Sequence, residues 1–556
     1  MNQTRTFLLI AWLAVAFLLF QQWQAPAASA PTAAAPAQNT QTVPLPGGSS
    51  LPALPNSAAA PANAALPVGV EPSSQTVEIV TDIFRLTVDL KGVSIVRAEL
   101  LTYPQKKAGS TNVLMLDTAP ADFFVAQSGW LTKSGLNAPT HEALFQTVGG
   151  KTAFALADGQ DSLSVPFVWT DPASGVQLTK TLVLTRGSFA IKQVQELHNT
   201  GTAPWSGFAY EQLKRIAPPP PSKTAGLTNP DSFSFVGSAW YSPADKYEKI
   251  KFTDYTDGDG VLQNPNKTVA DGWFGMLQHH FVTVWLPGKG DTQTYTLAKE
   301  GDSAQPFYII RGVSNESLLA PGATISREDQ LWIGPKAQKA MNKVHPTLDL
   351  SVDYGIFAFL SQPLFWLLSK LHDLLGNWGW AIIAIVVVLK ALLFPLSAKQ
   401  YQSMAKMRAI QPRIEALKER YGDDRQKFAM AQMELYKKEK INPAAGCLPM
   451  LIPIPIFLAL YWVLVESVEL RQAEWIGWIN DLTAPDPFFI LPAINLVVMF
   501  LTQKLTPTPG MDPLQKKMMT FMPLILGVMM AFFPAGLVLY WVTNGLLGLA
   551  QQYYMT

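Results

Sequence analysis

Five apolar runs crowd the last third of this chain, and they constrain its fold more than any other feature. Residues 378–396 are interrupted only by Lys390, and residues 447–465 carry Pro449, Pro453 and Pro455. Residues 487–501 and 518–533 follow, and Pro534-Ala-Gly536 turns the chain into 537–554. A helix needs about 20 apolar residues to cross roughly 30 Å of hydrocarbon. The last two runs are shorter than that, which implies tilted neighbours or a locally thinned bilayer. A sixth run, 7–20, follows Arg5. Its length suits a signal peptide, and Ala28-Ser29-Ala30 offers a small-residue cleavage site. Against cleavage, that site lies far beyond Phe20, and Trp23 extends the run as an interfacial anchor. On the residues alone the two readings stand level.

Loop charge orients these runs. Residues 397–443 hold eleven Lys/Arg against six Asp/Glu, and 504–517 hold Lys504, Lys516 and Lys517. Residues 466–486 hold one basic residue, Arg471, against five acidic ones. Basic loops stay cytoplasmic. With Arg5 inside, six spans put both termini in the cytoplasm and everything from 25 to 350 outside.

That outer region has two parts. Residues 25–75 are rich in Ala, Pro, Ser and Asn and nearly uncharged, so they bury no core and read as a tether. From residue 76 the pattern alternates: Phe84, Leu86, Val88 and Leu90 interleave with Arg85, Thr87 and Asp89. Val176/Leu178, Leu182/Leu184, Phe281-Val-Thr-Val-Trp-Leu286 and Phe307-Tyr-Ile-Ile310 continue it, between turn clusters such as Asp171-Pro-Ala-Ser-Gly175, Asp257-Gly-Asp-Gly260 and Pro287-Gly-Lys-Gly290. This is the signature of a large antiparallel β-sandwich. Residues 336–352 are polar and read as a connector. In 355–376 the apolar residues Ile356, Leu360, Leu364, Leu367, Leu371 and Leu374 recur every three to four positions, an amphipathic helix suited to a membrane surface. A core helix of the outer domain is the plainer alternative.

The fold class is therefore an α-helical polytopic membrane protein of six spans, with a large periplasmic antiparallel β-sandwich and a cytoplasmic helical hairpin. The divisions are an anchor at 1–24, a linker at 25–75, the sandwich at 76–340 and a membrane core at 341–556, with the hairpin at 397–443. In the hairpin Met404, Met407, Ile414, Leu417 and Tyr421 mark one helical seam, and Phe428, Met430, Met433 and Leu435 a second. Methionine adapts to irregular apolar partners, which suits recruitment of varied clients. A simple coiled-coil core with a solvated charged face accounts for the same spacing.

Little else carries chemistry. Net charge is +1, which excludes a global field for nucleic acid. The single cysteine, Cys447, makes no internal disulfide, and no Cys/His cluster has metal spacing. Neighbours on a strand point to opposite faces, so His279-His280 is a poor chelate. Gly149-Gly-Lys-Thr152 lacks the leading glycine of a phosphate loop, and there is no nucleophile elbow or zinc-protease motif. No enzyme activity, cofactor or metal is expected. The pointed residue is Lys390, since a lysine at the centre of a span costs roughly 2.5–3.5 kcal/mol. Either it snorkels past Leu396 to the cytoplasmic surface, about 9 Å away, or it faces a wet cavity. Asn495 and Asn544 are polar residues able to line such a cavity.

Several stretches together resemble the YidC membrane-protein insertases in their Gram-negative form: Gly376-Asn-Trp-Gly379, Ser403-Met-Ala-Lys-Met-Arg408, Asn442-Pro443 with Gly446-Cys-Leu-Pro449, Pro455-Ile-Phe-Leu-Ala-Leu-Tyr461, Ser467-Val-Glu-Leu-Arg-Gln-Ala473, Thr520-Phe-Met-Pro523 and Pro534-Ala-Gly-Leu-Val-Leu-Tyr-Trp541. Tyr247-Glu-Lys-Ile-Lys-Phe252 is a weaker match in the outer domain. The resemblance implies an uncleaved first span and a groove open to the cytoplasm and lipid, with Lys390 as its positive charge. It implies that Phe457, Met529 and Tyr540 lie along the helices that guide a client. It also implies nascent membrane proteins as clients, the lipid bilayer as medium, and the general secretion translocon and translating ribosomes as partners. Three departures stand out. Lysine replaces the usual arginine at 390, and Pro453 replaces a usual glutamine. No basic tail precedes Thr556, so ribosome docking through such a tail is not expected. A transporter is the runner-up, but transporters carry several ionisable residues in their spans and internal repeats.

Overall fold

A computed structural model describes residues 75–107, 109–132, 137–219, 234–256, 267–302, 305–422, 424–439, 453–505 and 513–555. The anchor expected at 1–24 and nearly all of the linker lie outside these residues, as do Cys447 and the turn residues Asp257 and Asp423.

Between Thr76 and Pro335 the described residues form two sheets, one of eleven strands and one of nine. Neighbouring strands pair antiparallel with one exception, Thr76–Val80 beside Ala153–Ala155, which is parallel. The alternation seen in the sequence becomes burial: Phe84, Leu86 and Val88 face the space between the sheets, with Trp130, Phe167, Leu178 and Leu182. Strand Phe281–Leu286 is apolar at nearly every position because it is covered on both faces. Phe281 and Trp285 join the core between the sheets, whereas Val282, Val284 and Leu286 join a second core shared with the helices. Successive side chains on a strand point to opposite faces, so the nine-stranded sheet is a middle layer. The eleven-stranded sheet lies on one side of it and helices on the other.

The segment 336–352, expected as a polar connector, is built into that second core. Helix α1 (Gln338–Val344) buries Met341, and the turn Leu348–Ser351 buries Leu348 and Ser351. Its apolar residues are spaced for one face but diluted by Gln, Lys, Asn and Pro, so the periodicity was too thin to read from sequence.

Among the described residues nine further helices follow: α2 (Ala358–Leu375), α3 (Trp378–Leu392), α4 (Phe394–Ala409), α5 (Gln411–Tyr421), α6 (Arg425–Lys438), α7 (Pro453–Glu466), α8 (Ile490–Leu505), α9 (Pro513–Met530) and α10 (Ala535–Met555). The first two are separated by a left-handed Gly376 and by Asn377, whose side chain caps α3 by accepting from the Trp380 N–H. Among the described residues no helix is long and apolar enough to cross a membrane. Helix α3 has 15 residues and α8 has 16, roughly 22–24 Å at 1.5 Å per residue. The longer α9 and α10 include Lys516, Lys517, Asn544, Gln551 and Gln552.

Helix directions follow from the loops. Asn377, before α3, donates to the carbonyls of Glu474 and Trp475, and the start of α10 is tied to the same loop by Ala535 N–H to Ala484 and Gly536 N–H to Leu482. Helices α3, α8 and α10 therefore begin on the side of the β sheets, where α7 and α9 end. Helices α5 and α6 follow from the far end of α3.

Candidate functional site

Helix α10 packs between α3 and α8. Against α3 it brings Gly536, where a Cβ would lie 3.3 Å from Ile382. Against α8 it brings Gly545, where a Cβ would come within 2.5 Å of Val498. Seven residues further along both helices, Gln552 donates to the Leu505 carbonyl at 3.0 Å, so α8 and α10 stay in parallel register.

That packing sets the depth of the candidate polar residues. Lys390 continues the buried stripe of α3 that runs through Ile382 and Val386, one turn at a time. Lys390 and Asn544 each lie eight residues past the Ile382–Gly536 contact on helices running the same way, about 12 Å along each axis. Asn495 lies three residues before Val498, within about a turn of that depth. It is buried, and its amide touches the Met499 sulfur at 3.7 Å. Lys390 and Asn544 are half-buried. Among the described residues Lys390 has no carboxylate within ion-pair distance.

The three residues expected to guide a client are not brought to one place. Phe457 on α7 stacks on Tyr540 of α10, with centroids 6.2 Å apart, and meets Trp541 edge-on at 4.8 Å. Met529 stands apart on α9, which packs against α8 through Gly527 and Leu496. It is exposed, along with Phe521, Leu524, Ile525 and Val528 on the same helix.

In the hairpin region α5 packs on α6, but not through methionine. The contact is made by Ile410, Ile414 and Tyr436, with Phe428 and Leu435 beside them. Met430 and Met433 are exposed, outside the contact between the two helices. Branched and aromatic side chains fill a fixed interface, and the thioethers are left at the surface. The side chains of Met404 and Met407 lie outside the described residues.

Sequence reasoning missed a polar junction beneath the β sheets. At the end of α7, Glu466 is buried and accepts from the Ser234 hydroxyl at 2.7 Å. Glu469 accepts from the first N–H of α1, at Gln338, at 3.1 Å, and burial lifts its carboxyl to about 7. His280 is held well below its ordinary value by burial and by the neighbouring charges of His279, Lys336 and Arg471. Burial likewise lowers Lys336, against the attraction of Glu466 and Asp353. The available signal was the stretch Glu466–Ala473, where two carboxylates and an arginine follow directly on an apolar run.

The fold is thus a two-sheet β domain joined through a shared core to a helix layer in which Lys390, among the described residues, has no carboxylate partner. Two family models cover the chain accordingly: the YidC periplasmic domain over residues 76–367 and the 60Kd inner membrane protein over residues 370–556. The membrane protein insertase YidC of Stenotrophomonas maltophilia (strain R551-3) is 51% identical over 570 residues, spanning 100% of this chain and 96% of the relative. That of Xanthomonas euvesicatoria pv. vesicatoria (strain 85-10) is 49% identical over 583 residues, spanning 100% and 97%. A solved structure of an active YidC insertase, with its first transmembrane domain resolved, aligns over 87% of this chain and 93% of its own. Its 20% identity and TM-score of 0.38 are too low to support any argument about arrangement. The chain belongs to the YidC family of membrane protein insertases. It is accordingly an inner membrane protein with a β-rich periplasmic domain, and an insertase rather than an enzyme.

Proposed function

We propose that this chain inserts nascent membrane proteins through a polar groove centred on Lys390, flanked by Asn495 and Asn544. The observation that carries this is the common depth of the three residues in a helix layer where Lys390 has no carboxylate partner among the described residues. A cation held without a partner in an apolar layer is costly unless water or a passing anion reaches it. A wet groove shortens the hydrocarbon that a client's polar tail must cross. The fixed cation attracts acidic residues of that tail, and the membrane potential favours moving each negative charge outward by about 2.3 kcal/mol per 100 mV. The client's apolar segment then partitions into lipid. Phe457, Tyr540 and the exposed face of α9 with Met529 are read as its guides, and the hairpin surface with Met404, Met407, Met430 and Met433 as its first contact.

In this reading α3, α7, α8, α9 and α10, with residues 7–20, are six crossings of a thinned bilayer. The alternating directions of α7 to α10 support it. Both termini and the hairpin are then cytoplasmic. A reporter fused near Asp423 should report cytoplasm, and one near Asp257 periplasm; both on one side would end the six-span reading.

The groove is tested with paired clients differing only in tail charge, inserted by the wild-type chain and by Lys390→Arg, Lys390→Ala and Lys390→Glu. Arginine should support insertion. Alanine should slow acidic tails more than neutral ones, and glutamate should slow them further. Equal effects on both clients would argue against capture by charge, and silence in all three variants would make Lys390 an interfacial anchor.

A further inference from the structure

The Ser467–Ala473 motif, unused by the groove, is where the helix layer and both β sheets meet. Arg471 Nη2 donates to the carbonyls of Pro104 and Gln105 at 2.9 and 3.0 Å, at the end of a strand of the eleven-stranded sheet. Gln472 adds a bond to Pro104 at 3.2 Å, and Lys107 reaches back to pair with Glu474 and to donate to the Asn480 carbonyl. From the nine-stranded sheet, His279 donates to the Val465 carbonyl at 3.0 Å. From α1 comes the Gln338 N–H to Glu469, while the Tyr354 and Ser467 hydroxyls lie 3.4 Å apart. All of these reach the chain between Val465, at the end of α7, and Asn480. Ten residues or so back along that helix are Phe457, stacked on Tyr540, and Ala459, whose carbonyl accepts from Ser361 of α2.

A purely packed junction would need none of this polar anchoring, because the second core already joins sheet to helices. What the bonds add is direction. Apolar burial is non-directional, whereas a guanidinium donating to two carbonyls sets both distance and angle. We propose that Arg471 is a positioning residue for insertion: its clamp on Pro104 and Gln105 ties the periplasmic domain to the end of α7 and holds that helix in place beside α10. The proposal rests on the reading of Phe457, on α7, as a guide for the client. It gives the periplasmic domain a task for which no client contact of its own is required.

The test uses the full chain in proteoliposomes, with Cys447 replaced by serine and an acidic-tailed single-span client. Arg471→Ala should slow insertion several-fold, and Arg471→Lys, which retains a cation able to reach a carbonyl, should lose less. Gln105→Cys with Gln472→Cys in the Arg471→Ala background should restore the rate when oxidised and lose it again when reduced. A merely structural arginine gives no such redox dependence. Normal insertion by Arg471→Ala, or an oxidised cross-linked variant that stays slow, overturns the proposal. Full-rate insertion of the same acidic-tailed client by Lys390→Ala, with Arg471 intact, would instead refute the groove reading, so the two failures are distinct.

Discussion

Phe457 and Tyr540 face each other across α7 and α10, their rings stacked at 6.2 Å with 25° between the planes. This pair, with Trp541 at the edge of Phe457, is an aromatic contact joining the helix that leads into the junction to the helix that sets the depth of Asn544 against Lys390. Aromatic pairs contribute about 0.5–1.5 kcal/mol beyond the area they bury. Phe457→Ala and Tyr540→Ala should each lower the thermal midpoint of the full chain in detergent, and the double variant should lose less than the sum of the two. Strict additivity would mean that the rings do not support each other.

Gly545 owes its place to Val498. A Cβ there would sit 2.5 Å from Val498 Cγ1, well inside contact distance. Gly545→Ala should push α10 from α8 and destabilise by roughly 1–3 kcal/mol, the usual cost of overpacking. Val498→Ala alone should leave a small cavity. Together the two changes should recover much of the loss, as read from midpoints of unfolding. No recovery would show that Gly545 is required for another reason.

Glu469 predicts a pH dependence. Its carboxyl is raised from 4.5 to about 7, chiefly by burial. A carboxyl raised on folding binds its proton more tightly in the folded state. Its contribution to stability is therefore fully present below about 4.5 and lost as pH rises through about 7. His280, lowered by burial, works in the opposite sense: its contribution is present above about 6.5 and lost on acidification. Glu469→Gln keeps an oxygen for the Gln338 N–H and removes the charge. Its midpoint should exceed that of the wild type at pH 8, and the gap should close towards pH 5. A gap constant across this range would show that the carboxylate is not paying a burial cost.

In the hairpin, stability and recruitment should separate. Ile414 is fully buried between α5 and α6, whereas Met430 is 60% exposed. Ile414→Ser should loosen the helix pair, measurable as faster hydrogen exchange in both helices. Met430→Ser with Met433→Ser should leave exchange unchanged and reduce cross-linking to a client's apolar segment. Unchanged cross-linking would reduce the hairpin to a connector.

The sequence by itself determined the two-part plan of this protein. Strand alternation such as Phe84, Leu86 and Val88 and the apolar runs from residue 378 onward are local periodicities, and one residue's neighbours along the chain suffice to reveal them. Lys390 was legible for the same reason, because a charge inside an apolar run is conspicuous without any partner. What only the tertiary structure decided was pairing. That Val282 and Val284 face helices while Trp285 faces the other sheet is invisible in an all-apolar strand. The run 336–352 looked polar because its few buried side chains are held by distant strands. Lys390 and Asn544 share a depth only because Gly536 seats against Ile382. Glu469 and Arg471 counted in the sequence only towards a loop's charge, because burial of a charge is set by what packs on it and not by its neighbours in sequence.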